Sequence, residues 1–559
     1  MRSGRKSFGW ALAALCLVWA ATQLALAWND APIVDEPIHF FDGSLAVDRG
    51  DPTANPEHPP LVKVLASLAA RPWRSAAAGV APGADPRATA PSLFLEPHPT
   101  ARKRIFAARL PSIAISLAAI VACGLWGASL GGGAGGWTAA ALLASSSLLG
   151  AHAHFVTTDA PVAALVFCGA FFLEPLRESP RVGRIAGAGL LLGAALAAKY
   201  SAVFLVPVVL AVSFFRRPTR RTLAAHLAVA VVAVATLAAI SGWASRRATA
   251  SEIRAEIATA RTGATTNRLD PGGMAAFLWL GDRIATASPG LARYALGTAL
   301  VASPAYRRGG YPAFFHGRIT TTGAIGYFPA CVAFKFGSVA LLAGLAGLAL
   351  MAHRLPLTAI LPPLLFFAAA VPAHYLLGAR YLLPVYPFLA LWAAPLGRLV
   401  PKPLVAAAAL SIASAAWAYP YWIADSSAIG RAIGPIDEWF ADSNLDWGQD
   451  LGRLDRRAQG RGIVLGIIGG SEFAGLAGLY PHLRLPDANL PLPAGTYSST
   501  RWRPFLESAA KRVSAYPPAL QPLVLKLRAD IAVLARGPLL PEFSTPSMFG
   551  SAALAGPTR

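Results

Sequence analysis

The run TLAAHLAVAVVAVATLAAISGW, residues 222–243, decides the fold class. It carries no charged side chain, and Arg216, Arg217, Arg220 and Arg221 stand just before it. A helix needs about 20 apolar residues to cross a bilayer. Inside lipid the backbone polar groups must be satisfied within the segment, which a helix does. A cationic flank then sets the direction of crossing.

Comparable runs lie at about 8–28, 106–129, 136–153, 160–176, 184–198, 201–215, 328–351, 356–377, 380–397 and 403–422, eleven with the first. Of the 559 residues, 55% are hydrophobic and 14% charged, with a mean hydropathy of +0.49. An ordinary soluble chain is about 25% charged. A water-soluble enzyme, a coiled coil and a disordered chain fit this composition poorly. The expectation is a mostly α-helical, polytopic membrane protein with about eleven transmembrane helices. Residues 1–422 hold the spans and two long loops, about 29–104 and 244–327, the second with helical patterning at 250–261 and 274–287. Residues 423–540 are expected to form a small α/β domain, and 541–559 a loose tail. In that domain a polar helix is expected at 450–459 and strands at 462–468 and 496–499. The first run continues past its one Ala-x-Ala-like site, so it reads as an uncleaved span rather than a signal peptide. The glycines of 131–136 read as a turn between two spans.

The formal net charge is +21. The basic residues sit mainly between apolar runs, where they set topology and meet anionic lipid headgroups. No nucleic-acid motif is present. Arg2, Arg5 and Lys6 place the start of the first span in the cytoplasm. Alternate short connections then hold Arg177 and Arg181, the arginines of 216–221, Arg354, and Arg398 with Lys402. The opposite connections, near 154–159 and 199–200, hold only Lys199. This positive-inside pattern puts both long loops and the C-terminal domain outside. Cys16, Cys123, Cys168 and Cys331 lie in or beside apolar segments without metal-ligand spacing and read as small hydrophobes.

Polar residues gather at the outer ends of the runs. Asp35 and Glu36 follow the first span, with His39 four residues after Asp35. Adjacent carboxylates suit general-base or metal chemistry, and equally a solvated acidic turn. Asn55-Pro-Glu57-His58-Pro-Pro presents Glu57 and His58 on a proline-stiffened turn. Asp159 stands before Ala-Pro, either as a helix cap or as a functional carboxylate at a span boundary. His152 and His154 nearby read as interfacial rather than metal-binding. Lys199, Lys335 and Arg380, with Tyr381 beside the last, are cations at outer boundaries. Each is either a snorkelling charge or a phosphate contact. Asp442, Asp446 and Asp450 recur every four residues and would share one face of a helix, which reads best as a dock between domain and membrane core.

Taken in order, these pieces resemble a known superfamily. They are Asp-Glu, Glu-His-Pro-Pro-Leu-x-Lys, Thr-Asp-Ala, Lys-Tyr-Ser, Tyr-Phe-Pro with a later Lys, Arg-Tyr-Leu-Leu-Pro-Val-Tyr-Pro, and Asp442-Ser-Asn-Leu-Asp-Trp-Gly-Gln-Asp-Leu451. The chain looks like the bacterial integral-membrane glycosyltransferases of the protein O-mannosyltransferase and lipid A aminoarabinose transferase superfamily, which have the GT-C fold. The resemblance covers about residues 5–500. It implies a polyprenyl-phosphate-linked sugar as donor, reaction on the outer (periplasmic) face of the inner membrane, and a glycan, lipid or protein acceptor. Asp35 would match the catalytic carboxylate and Glu36 its neighbour at the acceptor. Glu57 would match a site carboxylate that is sometimes a metal ligand. His58 stands where some members carry lysine, which leaves a divalent metal at Glu57 and His58 an open question. Asp159 and Arg380 would lie around the donor, with Lys199 and Lys335 as further cations. The alternative is a transporter or flippase for a lipid-linked or anionic substrate.

Overall fold

The computed structural model describes residues 2–458, apart from 76, 78–79, 81–85, 97, 178–179, 213–218, 267–270, 303–312, 321 and 441, and five short strands beyond. The chain runs α1 (Arg2–Asn29), α2 (Asp35–Arg49), α3 (Leu61–Ala69), α4 (Pro86–Leu95), α5 (His98–Ala144), α6 (Ser147–His152), α7 (Asp159–Leu173), α8 (Val182–Ala198), α9 (Ala202–Val212) and α10 (Arg220–Ala244). Among the described residues three helices are long and apolar enough to cross a membrane: Lys6–Asn29, Pro99–Ala144 and Arg220–Ala244. The other expected spans are built as shorter apolar helices, such as Asp159–Leu173, Val182–Ala198 and Leu357–Ala370. The expected span 328–351 is corrected to two helices, Tyr327–Lys335 and Ser338–Arg354, bent by 110° where Phe336 and Gly337 leave the helix.

α5 holds two of the expected spans as a hairpin. Its backbone leaves helical geometry at Gly132, with φ +71°. A Cβ on Gly136 would lie 2.6 Å from the Gly124 carbonyl oxygen, so the two legs run side by side. Only glycine lets backbones approach so closely at such a turn. The same turn packs on the Ala394 carbonyl, and Arg398 Nε donates to the Leu130 carbonyl at 2.7 Å. Two connections expected on the cytoplasmic side thus meet at one end of the bundle. A reporter fused at Arg398 should report cytoplasm and one at Pro271 the outer side. The same compartment for both would overturn the sidedness.

The first long loop is not mere connection. α2 packs against α3 so closely that a Cβ on Gly43 would sit 2.0 Å from the Lys63 carbonyl oxygen. Arg109, fully buried in α5, fastens this layer to the spans. Its guanidinium donates to the carbonyls of Ala27, Asp30 and Ala31 and to both Glu36 oxygens, at 2.6 to 3.1 Å. The second loop forms α11 (Ala250–Thr266), α12 (Pro271–Ile284) and α13 (Pro289–Ala302), close to the expected patterning. These three share their own small core of Ile253, Ile257, Leu278 and Leu296.

Past the last long helix, Pro401–Ala418, the polar helix is Leu451–Ala458. Strands Ile463–Gly466 and Thr496–Ser498 form where expected and pair in parallel, with Leu483–Arg484 on the other edge. Within the expected tail, Gly550–Ser551 pairs with Leu539–Leu540. The rest of 459–559 lies outside the described residues. Cys123, Cys168 and Cys331 are buried and Cys16 is half-buried.

Candidate active site

Four charged residues far apart in sequence meet at the end of the bundle opposite the glycine turn. Asp35 opens α2, where the helix N-terminus favours a carboxylate. Asp159 opens α7; the cap position itself belongs to Thr158. Lys199 follows α8, and Arg380 lies in the 3₁₀ turn Ala379–Val385. Arg380 Nη1 bonds Asp35 Oδ2 at 2.9 Å and lies 3.8 Å from Asp159 Oδ2. Lys199 Nζ bonds Asp159 Oδ1. Signs alternate along Asp35, Arg380, Asp159 and Lys199, so the group is neutral overall. Buried charges need such pairing.

The network leaves three atoms without a hydrogen-bond partner among the described residues, Asp35 Oδ1, Asp159 Oδ2 and Arg380 Nη2. Asp35 is also the most accessible of the four, at 31% against 12% or less for the rest. An open carboxylate oxygen thus lies beside an open guanidinium N–H. Tyr381 separates the cations, with Lys199 Nζ 4.4 Å from its ring centre and the Arg380 guanidinium 5.8 Å away.

His58 closes one side. Its ring lies 4.8 Å from that of His39, and its Nδ1 is 3.4 Å from Thr158 Oγ1. Burial drives the His58 imidazole well below its ordinary pKa, and His39, Lys199, Lys63 and Arg380 push the same way. The ring is therefore neutral near pH 7. The turn that carries it is held by Lys63, whose Nζ bonds the carbonyls of Asn55 and His58 at 2.9 and 2.6 Å and Asp42 at 2.6 Å. Glu57, by contrast, is exposed. Among the described residues no three His, Cys, Asp or Glu side chains group so as to hold a metal ion. Glu57 and His58 therefore do not complete a ligand set of these types among the described residues. Behind His58 opens a mostly apolar cavity of about 590 Å³, lined also by Pro60, Tyr200, Tyr294 and Leu300.

Two expectations change. Glu36 is fully buried, and both its oxygens are taken by Arg109 and by the N–H groups of Ile33 and Val156. It faces away from Asp35 because consecutive helical residues do not share a face. Lys335 is no open phosphate contact either. The bend after it brings residues 423–425 and 444 over its ammonium, which donates to the carbonyls of Ile423, Asp425 and Asn444 at 2.5 to 2.9 Å. Lys335→Met should lower the melting temperature in detergent while donor affinity per folded molecule stays within about twofold, since removing one partner of buried hydrogen bonds costs mainly stability. Unchanged stability with lost affinity would restore Lys335 to the site.

The segment from Asp442 is also not one helix. Asp442–Asn444 is a 3₁₀ turn, and the helix starts at Leu451. Asp446 accepts the Gly448 N–H at 3.0 Å, and Gly448 has φ +90°, which breaks the four-residue alignment of the aspartates. The segment does dock on the core. Asn444 bonds Tyr327 and the Ala379 N–H, the Gln449 carbonyl accepts from Ala31, and Arg453 pairs with Asp30 and Asp450. It also delivers Trp447, whose ring centre lies 4.2 Å from the Arg380 guanidinium.

Residues 100–245 match the family described as dolichyl-phosphate-mannose-protein mannosyltransferase. The matched stretch contains Arg109, Asp159 and Lys199; Asp35 and Arg380 lie outside it. With the helical membrane architecture, this match supports the class already indicated by the motifs: a membrane glycosyltransferase of the GT-C type. No curated protein matches the chain in sequence. Solved structures similar to the chain include ArnT from Cupriavidus metallidurans in the apo state, 14% identical, covering 99% of this chain and 100% of that one with a TM-score of 0.44. The same protein bound to undecaprenyl phosphate is 13% identical over 98% and 99% of the two chains, with a TM-score of 0.42. The Archaeoglobus fulgidus oligosaccharyltransferase tethered to an acceptor peptide is 15% identical over 85% of this chain, with a TM-score of 0.44. The chain spans 63% of the length of that archaeal protein.

Proposed function

We propose that the protein transfers a sugar from a polyprenyl-phosphate-linked donor to an acceptor hydroxyl on the outer, periplasmic face of the inner membrane. One observation carries the reading: an open carboxylate oxygen on Asp35 beside an open N–H on Arg380. The acceptor hydroxyl oxygen attacks the anomeric carbon of the sugar. Asp35 Oδ1 takes the hydroxyl proton as the new C–O bond forms. The bond from the anomeric carbon to the phosphate oxygen breaks, and its electrons leave on the polyprenyl phosphate. Arg380 Nη2 stabilises that charge, with Lys199 adding to the local positive potential. A phosphate is already a good leaving group, so a general acid is less needed than in glycoside hydrolysis.

The apolar cavity behind His58 suits a substrate with an apolar body, held while its polar end faces the charged group. The acceptor is a hydroxyl of a glycan, lipid or protein. The test is purified protein in liposomes with a polyprenyl-phosphate sugar, followed for release of free polyprenyl phosphate. Cleavage of the donor supports transfer. Movement of intact donor between leaflets without cleavage would support a flippase instead.

A further inference from the structure

Arg380 depends on a contact that the transfer reaction itself does not use. Its guanidinium makes one ion pair at 2.9 Å, to Asp35, and one weak one at 3.8 Å, to Asp159. Its Nε donates to the Leu377 carbonyl at 3.1 Å. A planar guanidinium held through Nε and Nη1 can still tilt about the line that joins them. Trp447 lies over it, 4.2 Å from the guanidinium carbon to the ring centre, a favourable cation–π distance. The Trp447 ring is itself fixed. His152 meets it edge-on at 5.6 Å and Phe155 at 6.5 Å, and only 7% of the residue is exposed.

The backbone beneath the ring is equally constrained. Trp447 N–H donates to Gln449 Oε1 at 2.8 Å, and the turn is tied to the core by Ala31 N–H on the Gln449 carbonyl and by the Arg453–Asp30 pair. A stacked ring offers the guanidinium plane a surface without taking up its N–H groups. We propose that Trp447 is a positioning residue: it holds the Arg380 plane so that Nη1 stays on Asp35 while Nη2 faces the donor phosphate. The C-terminal segment therefore completes the site as well as docking beside it. This inference rests on the donor reading given above.

The test is binding of undecaprenyl phosphate to the purified full chain in lipid nanodiscs. A cation–π contact of about 0.5–2 kcal/mol predicts about a 2- to 30-fold loss of affinity for Trp447→Leu, which keeps apolar bulk but removes the π face. Trp447→Phe keeps a face and should stay within about threefold. In an Arg380→Ala background Trp447→Leu should cost nothing further, because the partner is gone. Equal losses for the Leu and Phe variants, or the same loss with and without Arg380, would overturn the positioning role. Should Trp447→Leu not fold, the smaller effect of Trp447→Phe read in both backgrounds measures the same coupling. No binding by the wild-type chain would overturn the donor reading and this role with it.

Discussion

Asp35→Asn should lower the rate of sugar transfer by about 10²–10⁴ while leaving donor affinity nearly unchanged. The substitution keeps the shape of the side chain and its contact with Arg380, but removes the proton acceptor at Oδ1. In the proposed reaction, donor affinity comes from the lipid tail and the cations, which the substitution leaves untouched. Arg380→Ala should differ by weakening donor binding as well as turnover, because its open N–H is assigned to the phosphate. The measurement is initial rate and donor affinity on purified, folded variants. Turnover near wild type for Asp35→Asn would remove it from the role of base.

Glu36→Gln should instead act on the fold. The Glu36 and Arg109 side chains are both fully buried, and their ion pair is 2.6 Å long. Removing one partner of a buried pair leaves the other charge uncompensated, at a cost of about 3–5 kcal/mol. Arg109 would keep its three carbonyls but lose the carboxylate that it bonds through both oxygens. Thermal unfolding in detergent should show a large fall in melting temperature, and transfer per folded molecule should stay within about tenfold. Full stability with abolished transfer would place Glu36 among the reacting groups.

The contrast between these neighbours shows what the sequence could disclose. Long charge-free runs announce a membrane protein because lipid admits little else. Charges at their ends announce a site because lipid penalises unpaired ones. That reasoning finds Asp35, Asp159, Lys199 and Arg380, which the structure brings together. It cannot separate Asp35 from Glu36, since the difference is which helix face meets Arg109. Nor can it separate Lys335 from Lys199. The two look alike in sequence, but the bend at 336–337 folds carbonyls over Lys335. Arg109 was legible and missed: a lone arginine inside an apolar run is costly enough to demand a partner. Trp447 gave no such signal, because an aromatic in a polar segment reads as packing until its neighbour is known. The spacing of Asp442, Asp446 and Asp450 suggested a helix that Gly448, at φ +90°, interrupts.

The most direct measurement is a structure of the full chain with a polyprenyl phosphate bound. A phosphate oxygen should lie within about 3 Å of Arg380 Nη2, the ordinary distance for a charge-assisted hydrogen bond. Asp35 Oδ1 should face the phosphate's free end, where the anomeric carbon of a donor would be attached. A phosphate held elsewhere, with Asp35 and Arg380 closed on each other and out of its reach, would contradict the account.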